Sequence, residues 1–280
     1  MISYGIGSAS WGVMRDKYGE YLGAAIKAAE EAGGIARSMQ HALRDIRYKG
    51  EKDVVTEADL ASDAAIRRSL SAAYPKHNIV TEEEAALDQG SEFTWFVDPI
   101  DGTVNYSRGF PLWGVSIGLR RKDTIVAGCI WLPALEEMYT ATLGGGAYLN
   151  GKKIQVSAVS ELRKAIISHG DFNVGADEAI RMELNAKNLE SRGRAAAALQ
   201  RVKCLGSAVV ESAFVAAGRM EAYCMLAMHP WDVATGCLLV TEAGGKVSHL
   251  DGSPFDIEGK DALFSNGILH EQMLDVLKLG

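Results

Sequence analysis

Thr94-Trp95-Phe96-Val97-Asp98-Pro99-Ile100-Asp101-Gly102-Thr103 sets the reading of the whole chain. Residues 94–97 are aromatic, β-branched or apolar, which predicts a short buried strand. Pro99 blocks simple helical continuation beyond it, and Gly102 lets the backbone approach a ligand closely. Asp98 and Asp101 flank this bend and can aim both carboxylates at one spot past the strand's end. Two convergent carboxylates repel unless one is protonated or a cation bridges them. Ligation by oxygen alone suits a hard ion, so the expected cation is Mg²⁺ rather than zinc.

Three further acidic stretches carry bland explanations one by one and a better one together. Glu82-Glu83-Glu84 follows a strand expected at Asn78-Ile79-Val80; for two of the three acids a solvated run before a helix is explanation enough. Thr56-Glu57-Ala58-Asp59 has the form of a capping box opening a helix, which by itself accounts for Asp59. In His229-Pro230-Trp231-Asp232, Pro230 takes the first helical position and Asp232 falls in the first turn, where the helix dipole favours an anion. His229 reads as a cap or packing residue, since the site is otherwise all oxygen, and Trp95 and Trp231 as packing beneath the neighbouring aspartates.

Around these stretches the pattern alternates between helix and strand. A helix is predicted from Gly19 to about Tyr48, with Leu22, Ile26, Ala29, Gly33 and Ala36 on one face. A second runs from Thr56 through Ile66, Leu70, Ala73 and Tyr74 until Pro75 stops it. Val115–Leu119, Thr124–Trp131 and Glu137–Thr142 read as a β-meander, with turns at Gly144-Gly145-Gly146 and Asn150-Gly151. The glycine triplet lacks the Lys-Ser/Thr of a phosphate-binding loop and is read as a turn. The second half predicts strands at 164–168, 201–204, 221–225, 246–249 and 262–265, and helices at 177–191, 207–217, 230–243 and 270–279. Sheets covered by helices follow. Thr241 to Gly245 reads as a helix end, and the first eighteen residues give no pattern.

Composition narrows the classes. The chain has 280 residues, 48% hydrophobic and 23% charged, enough for a large buried core. Its net charge of -7 and lack of a dense basic cluster argue against a nucleic-acid partner. The four cysteines, Cys129, Cys204, Cys224 and Cys237, have no metal-type spacing and read as buried reduced thiols. Met1 to Trp11 has no basic segment followed by an apolar one, and apolar runs elsewhere are broken by charge, as Glu211 breaks Val209–Ala217. The expectation is a cytoplasmic enzyme without a membrane span.

The segment Trp95 to Tyr106 resembles the first signature of the inositol monophosphatase family, and Pro230-Trp231-Asp232-Val233-Ala234-Thr235-Gly236, continuing to Thr241-Glu242-Ala243-Gly244-Gly245, resembles the second. Lys52-Asp53-Val54-Val55-Thr56-Glu57-Ala58-Asp59 is similar to a third family stretch, and the match runs from about Tyr21 to Asn266. The resemblance implies an α/β fold, a layered αβαβα sandwich shared with fructose-1,6-bisphosphatase. It also implies a single phosphatase domain with a metal-side lobe over about 1–155 and a substrate-side lobe over about 156–280. It further implies a lithium-sensitive homodimer that hydrolyses a small soluble phosphomonoester with two or three Mg²⁺ ions. Glu82, Asp98 and the Ile100 carbonyl would hold the first ion, Asp98, Asp101 and Asp232 the second, and Glu82 with Asp59 a weaker third. Glu82 and Thr103 would orient the attacking water, with Asp59 behind Thr103. The Gly102 and Thr103 amides would bind phosphate oxygens.

On the substrate side the resemblance implies contacts from Asp101, Gly102, Thr103, Ser207, Ala208, Asp232 and position 225. Gly206-Ser207-Ala208 is similar to the family's substrate-side loop, and Asp171 lies near a further substrate position. Inositol-preferring members carry Glu seven residues before the second-signature Asp; here that residue is Met225. Methionine is a poor partner for hydroxyls. Either the loop is shifted and another acid takes over, or inositol phosphate is not preferred. The alternatives within the chemistry are fructose-1,6-bisphosphatase, histidinol-phosphate and NADP(H) or 3′-phosphonucleotide phosphatase activity. Val104-Asn105-Tyr106 favours the inositol type. A regulatory binding protein on the same fold is the alternative outside it, and the full set of acids argues against that.

Overall fold

The computed structural model describes residues 17–40, 46–48, 54–172, 174 and 177–278. Its elements in chain order are α1 (Gly19–Met39), β1 (Ile46–Tyr48), β2 (Val54–Thr56), α2 (Glu57–Ala73), β3 (Asn78–Thr81), β4 (Phe93–Asp101), α3 (Thr103–Ser107), β5 (Gly114–Arg121), β6 (Thr124–Leu132), β7 (Glu137–Thr142), β8 (Gly146–Leu149) and β9 (Lys152–Lys153). The second half follows with β10 (Ile166–His169), α4 (Glu178–Ala198), β11 (Arg201–Lys203), α5 (Ala208–Ala216), β12 (Ala222–Leu226), α6 (Pro230–Glu242), β13 (Lys246–Ser248), β14 (Asp261–Ser265) and α7 (His270–Leu277).

Strands β3 to β9 form a seven-stranded sheet in chain order, and β11-β10-β12-β14-β13 form a five-stranded one. Helices α1 and α2 cover one face of the large sheet, where Leu22, Ile26, Ala29, Ile66 and Leu70 pack on Trp95, Val97, Ile117 and Cys129. Helices α5 and α6 fill the space between the sheets, with Val209, Ala213, Val233 and Leu239 against Ile130, Tyr139 and Phe264. Beyond the small sheet, Ala195 of α4 and Met273 and Leu277 of α7 pack on Ile167 and Leu263. The layering is α/β/α/β/α, as the family resemblance implies.

Close approach at α6 depends on missing side chains. Gly118 and Gly128 are paired across β5 and β6, and a Cβ on either would come within 3.0 Å of Thr235. The Thr235 hydroxyl takes a hydrogen bond from Ser116 at 3.0 Å, which seats the helix on the sheet. Gly236 does the same toward α5, where an added Cβ would lie 2.5 Å from Ser212 Oγ. This docking fixes where the first turn of α6, and so Asp232, arrives.

Several expected boundaries move. The first helix stops at Met39, and residues 46–48 pair antiparallel with 54–56 as a small ribbon instead of extending it. Residues 40–48 contain no helix breaker, but the strand pairing overrides helix propensity. Helix α4 runs to Ala198, seven residues past its expected end, because Gly193 is tolerated and Ala195 packs on the small sheet. Strand β10 begins at Ile166, after a single 3-10 turn over Leu162–Lys164. No helix follows Glu82-Glu83-Glu84. Of the cysteines, Cys129 and Cys224 are buried, but Cys204 is exposed, so the expectation of buried thiols fails there. Lys52 and Asp53 of the third similar stretch, with residues 1–16, lie outside the described residues. Among the described residues no helix is long and apolar enough to cross a membrane.

Candidate active site

Strand β4 does not end at Val97 but continues to Asp101 through a bulge. Asp98 pairs with Ser116 and Asp101 with Gly114, so three steps on β4 face two on β5. Side chains alternate along a regular strand, so residues three apart face opposite ways. The extra residue, at the proline that has no N–H for the ladder, returns Asp101 to the side of Asp98. Asp98 is 1% exposed and accepts a hydrogen bond from the Ile100 N–H at 3.1 Å. Gly102 then turns the chain with φ +83, and an added Cβ would meet the Leu112 carbonyl and Ser207 Cβ at 3.0 Å.

Asp232 joins them from α6, where its carboxylate accepts from the His229 N–H at 2.9 Å. The ligand atoms of Asp98, Asp101 and Asp232 lie within 4.8 Å of one another. Glu82 is beside them, because its N–H donates to the Val97 carbonyl at 3.3 Å. Asp59, 1% exposed at the start of α2, accepts from the Thr56 N–H at 2.9 Å as the capping box predicted. It does more than cap: its other oxygen lies 3.1 Å from the Thr103 hydroxyl, which is also 3.0 Å from the Ile100 carbonyl. Asp59, Glu82, Asp98, Asp101, Thr103 and Asp232 thus meet from separated parts of the chain.

The electrostatics fit a site that wants a cation. Burial pushes the Asp98 carboxyl well above the usual range, and the charges of Glu82, Asp101, Asp232 and Asp59 push it further. Asp232 is raised well above its ordinary value by burial and then by Asp101. Burial lifts Asp101 to about 6 against the hydrogen bonds from Ser207 and Val209. Asp59 is also lifted to about 6 by burial, opposed by its bonds to Thr56 and Thr103. The charges that act on these groups are other carboxylates, and the donor set is all oxygen, which suits a hard divalent cation.

The substrate side is arranged differently. Ser207 donates its hydroxyl to Asp101 and caps α5, and the Val209 N–H donates to the same Asp101 oxygen at 3.0 Å. Ala208 is buried at the first turn of α5. Met225 is 9% exposed, packed in the core between the sheets, and its sulfur accepts from the Tyr223 hydroxyl at 3.4 Å. Strand β12 pairs regularly from Ala222 to Leu226, with Met225 opposite Ala262. Glu221, just before the strand, accepts from the Ile166 N–H at 2.6 Å. Asp171 is exposed and accepts from the Cys204 thiol at 2.9 Å, beside the Gly206 turn.

His229 caps α6 and stacks on Trp231 with ring centroids 4.9 Å apart. Trp95 is fully buried as expected, whereas Trp231 is only half-buried. Two residues to which the sequence reading assigns no role in the site are tied to it. Asn105 reaches across to the 205–206 backbone, and Glu211, read only as a break in an apolar run, is 1% exposed. A lone acid inside an apolar helix is itself a sign of buried partners.

The layered sandwich carries clustered carboxylates at a bulged strand end and a helix start, and its relatives are phosphatases. The profile of the inositol monophosphatase family matches residues 17–278. The chain is 38% identical over 255 residues to "Inositol monophosphatase" of Dictyostelium discoideum, covering 88% of this chain and 91% of that one. It is 34% identical over 261 residues to "Fructose-1,6-bisphosphatase/inositol-1-monophosphatase" of Aquifex aeolicus, covering 92% and 96%. The solved structure of extragenic suppressor protein suhB from Bartonella henselae superposes with a TM-score of 0.86 at 30% identity, over 93% of this chain and 99% of that one. The chain belongs to the inositol monophosphatase family.

Proposed function

We propose that the chain hydrolyses a small, soluble, polyhydroxylated phosphomonoester with the help of Mg²⁺. The observation that carries this reading is the convergence of Asp98, Asp101 and Asp232 within 4.8 Å, each pushed toward protonation by burial and mutual repulsion. Such a cluster is costly unless a cation offsets it. Glu82, Asp98 and the Ile100 carbonyl would hold one ion, Asp98, Asp101 and Asp232 a second, and Glu82 with Asp59 a third. Divalent ions in such a site lower the pKa of a bound water and offset the charge of the phosphate and the leaving oxygen.

The protein's own groups do the rest. Asp59 accepts from the Thr103 hydroxyl, so the lone pairs of Thr103 Oγ1 can take a hydrogen bond from the attacking water. Glu82 takes the second hydrogen bond and sets the direction of attack. The Gly102 and Thr103 amides steady the phosphate oxygens, and no protein nucleophile is required. The elements up to about residue 155 supply most of the metal-side groups, and those after it supply the substrate side and Asp232.

Met225 argues against inositol 1-phosphate as the preferred substrate, because a core-packed thioether that already meets the Tyr223 hydroxyl is a poor partner for substrate hydroxyls at the position where inositol-preferring relatives carry an acid. Ser207, Ala208, Asp171 and the flank of Met225 would line the polyol. Fructose 1,6-bisphosphate is the strongest alternative, a choice supported by the double name of the Aquifex aeolicus relative. Activity as a cytoplasmic, lithium-inhibited homodimer completes the reading. Phosphate release over inositol 1-phosphate, fructose 1,6-bisphosphate, histidinol phosphate and NADP, with Mg²⁺, EDTA and Li⁺ arms, tests it. Mg²⁺-dependent release from at least one substrate is expected. Release that survives EDTA, or none across the panel with metal present, would reject the reading.

A further inference from the structure

Two side chains with no part in the proposed chemistry grip one residue of the loop between β11 and α5. Glu211 Oε1 accepts from the Leu205 N–H at 2.8 Å and from the Ser168 hydroxyl at 2.6 Å. Asn105 Nδ2, arriving from the signature turn in the other half, donates to the Leu205 carbonyl at 2.7 Å and the Leu112 carbonyl at 2.8 Å. Leu205 is therefore fixed through both of its backbone polar groups, by one side chain from each half of the molecule. Gly206 follows with φ +74, its carbonyl 3.3 Å from the same Asn105 nitrogen. A Cβ there would lie 3.2 Å from Asn105 Nδ2 and 3.3 Å from Asp171.

The next residue carries the consequence. Ser207 donates to Asp101 Oδ2, and the Val209 N–H reaches that oxygen at 3.0 Å. The donors that orient Asp101, from Ser207, Ala208 and Val209, thus ride on the chain leaving the Leu205 clamp. Buried amide and carboxyl groups with satisfied partners hold a geometry tightly, since a misplaced partner leaves a polar group unpaired. We propose that Asn105 and Glu211 are positioning residues that act through Leu205 and Ser207 to orient the Asp101 carboxylate for its cation. This rests on the reading above, in which Asp101 is a metal ligand. Groups that orient a ligand typically contribute about 10- to 100-fold to metal affinity or activity.

The test is Mn²⁺ binding by the metal-free protein, read from loss of the free-ion electron paramagnetic resonance signal, with thermal melts alongside. Asn105→Ala removes the amide, Glu211→Leu removes the acceptor, and Glu211→Gln keeps a carbonyl acceptor for both donors. Asn105→Ala and Glu211→Leu are expected to weaken Mn²⁺ binding by about 10-fold or more, and Glu211→Gln to restore it. Adding Ser207→Ala to Asn105→Ala should give no further loss, because both act on one carboxylate. Unchanged affinity in Asn105→Ala and Glu211→Leu, or losses that simply follow the melting temperature, would overturn the proposal. If Asn105→Ala does not fold, Leu and Gln at position 211 binding Mn²⁺ equally would overturn it. Failure of the underlying reading looks different: the unsubstituted chain itself would bind no Mn²⁺.

Discussion

The two sides of the site are built on opposite terms. On the seven-stranded side, Asp98 and Asp59 are each 1% exposed, and every acid is held by a strand end or a first helical turn. On the five-stranded side, Asp171 is exposed on a loop and Met225 is drawn into the core. Buried, mutually repelling charge fixes a reaction; exposed loops fix which molecule undergoes it. Changes at the buried acids should therefore abolish chemistry while leaving the fold in place, and changes at exposed substrate-side positions that do not touch those acids, such as Asp171, should alter apparent substrate affinity alone.

The largest effect is expected at Asp101. Asp101→Asn should lower kcat by about 10³-fold while raising the melting temperature of the metal-free protein, since one repelling charge is gone. A parallel loss of activity and stability, measured by phosphate release and thermal melts, would break the distinction between the two sides. Next comes Thr103→Ala, expected to lower kcat by about 10²-fold, with Thr103→Ser recovering most of it because the hydroxyl is what matters. Equal loss in both variants would mean that the methyl group, not the hydroxyl, was needed.

The pH dependence of stability gives a third, smaller effect. In the metal-free fold Asp59 and Asp101 titrate at about 6 instead of 3.8, so between those values the folded state holds more protons than the unfolded one. Stability must fall as pH rises through that window, and the upward shifts of Asp98 and Asp232 act in the same direction. Metal-free melts should be lower at pH 7 than at pH 5, and added Mg²⁺ at pH 7 should reverse the drop. The smallest effect is expected at Asp171, where alanine should raise KM about fivefold with kcat and Mn²⁺ affinity unchanged. A fall in kcat there would place Asp171 on the chemical side of the site.

Legibility in the sequence followed the same divide. Asp98, Asp101 and Asp232 were readable because each stands beside a local feature that forces its direction: a proline in a strand or the first turn of a helix. The bulge itself was not readable, because Pro99 signals a break in the ladder without saying how the register recovers. Asp59 looked like a cap and is one; its second partner, Thr103, lies 44 residues away and leaves no local trace. Strands β8 and β9 were missed because four and two residues between turns carry too little periodicity. The ribbon at 46–48 lies inside the predicted first helix, although Gly50, between two short β-prone stretches, is a signal against helix there. The clamp on Leu205 was invisible for a similar reason. Its contacts run from side chains to backbone, 100 residues apart for Asn105, and backbone groups look alike in every sequence.

Whether the carboxylates converge on divalent ions can be seen in a crystal soaked in Mn²⁺ and measured near the manganese absorption edge. Anomalous density is expected in the space bounded by Asp98, Asp101 and Asp232, with a further peak between Asp98 and Glu82. Carboxylates turned away from one another, with no peak among them at saturating Mn²⁺, would contradict it.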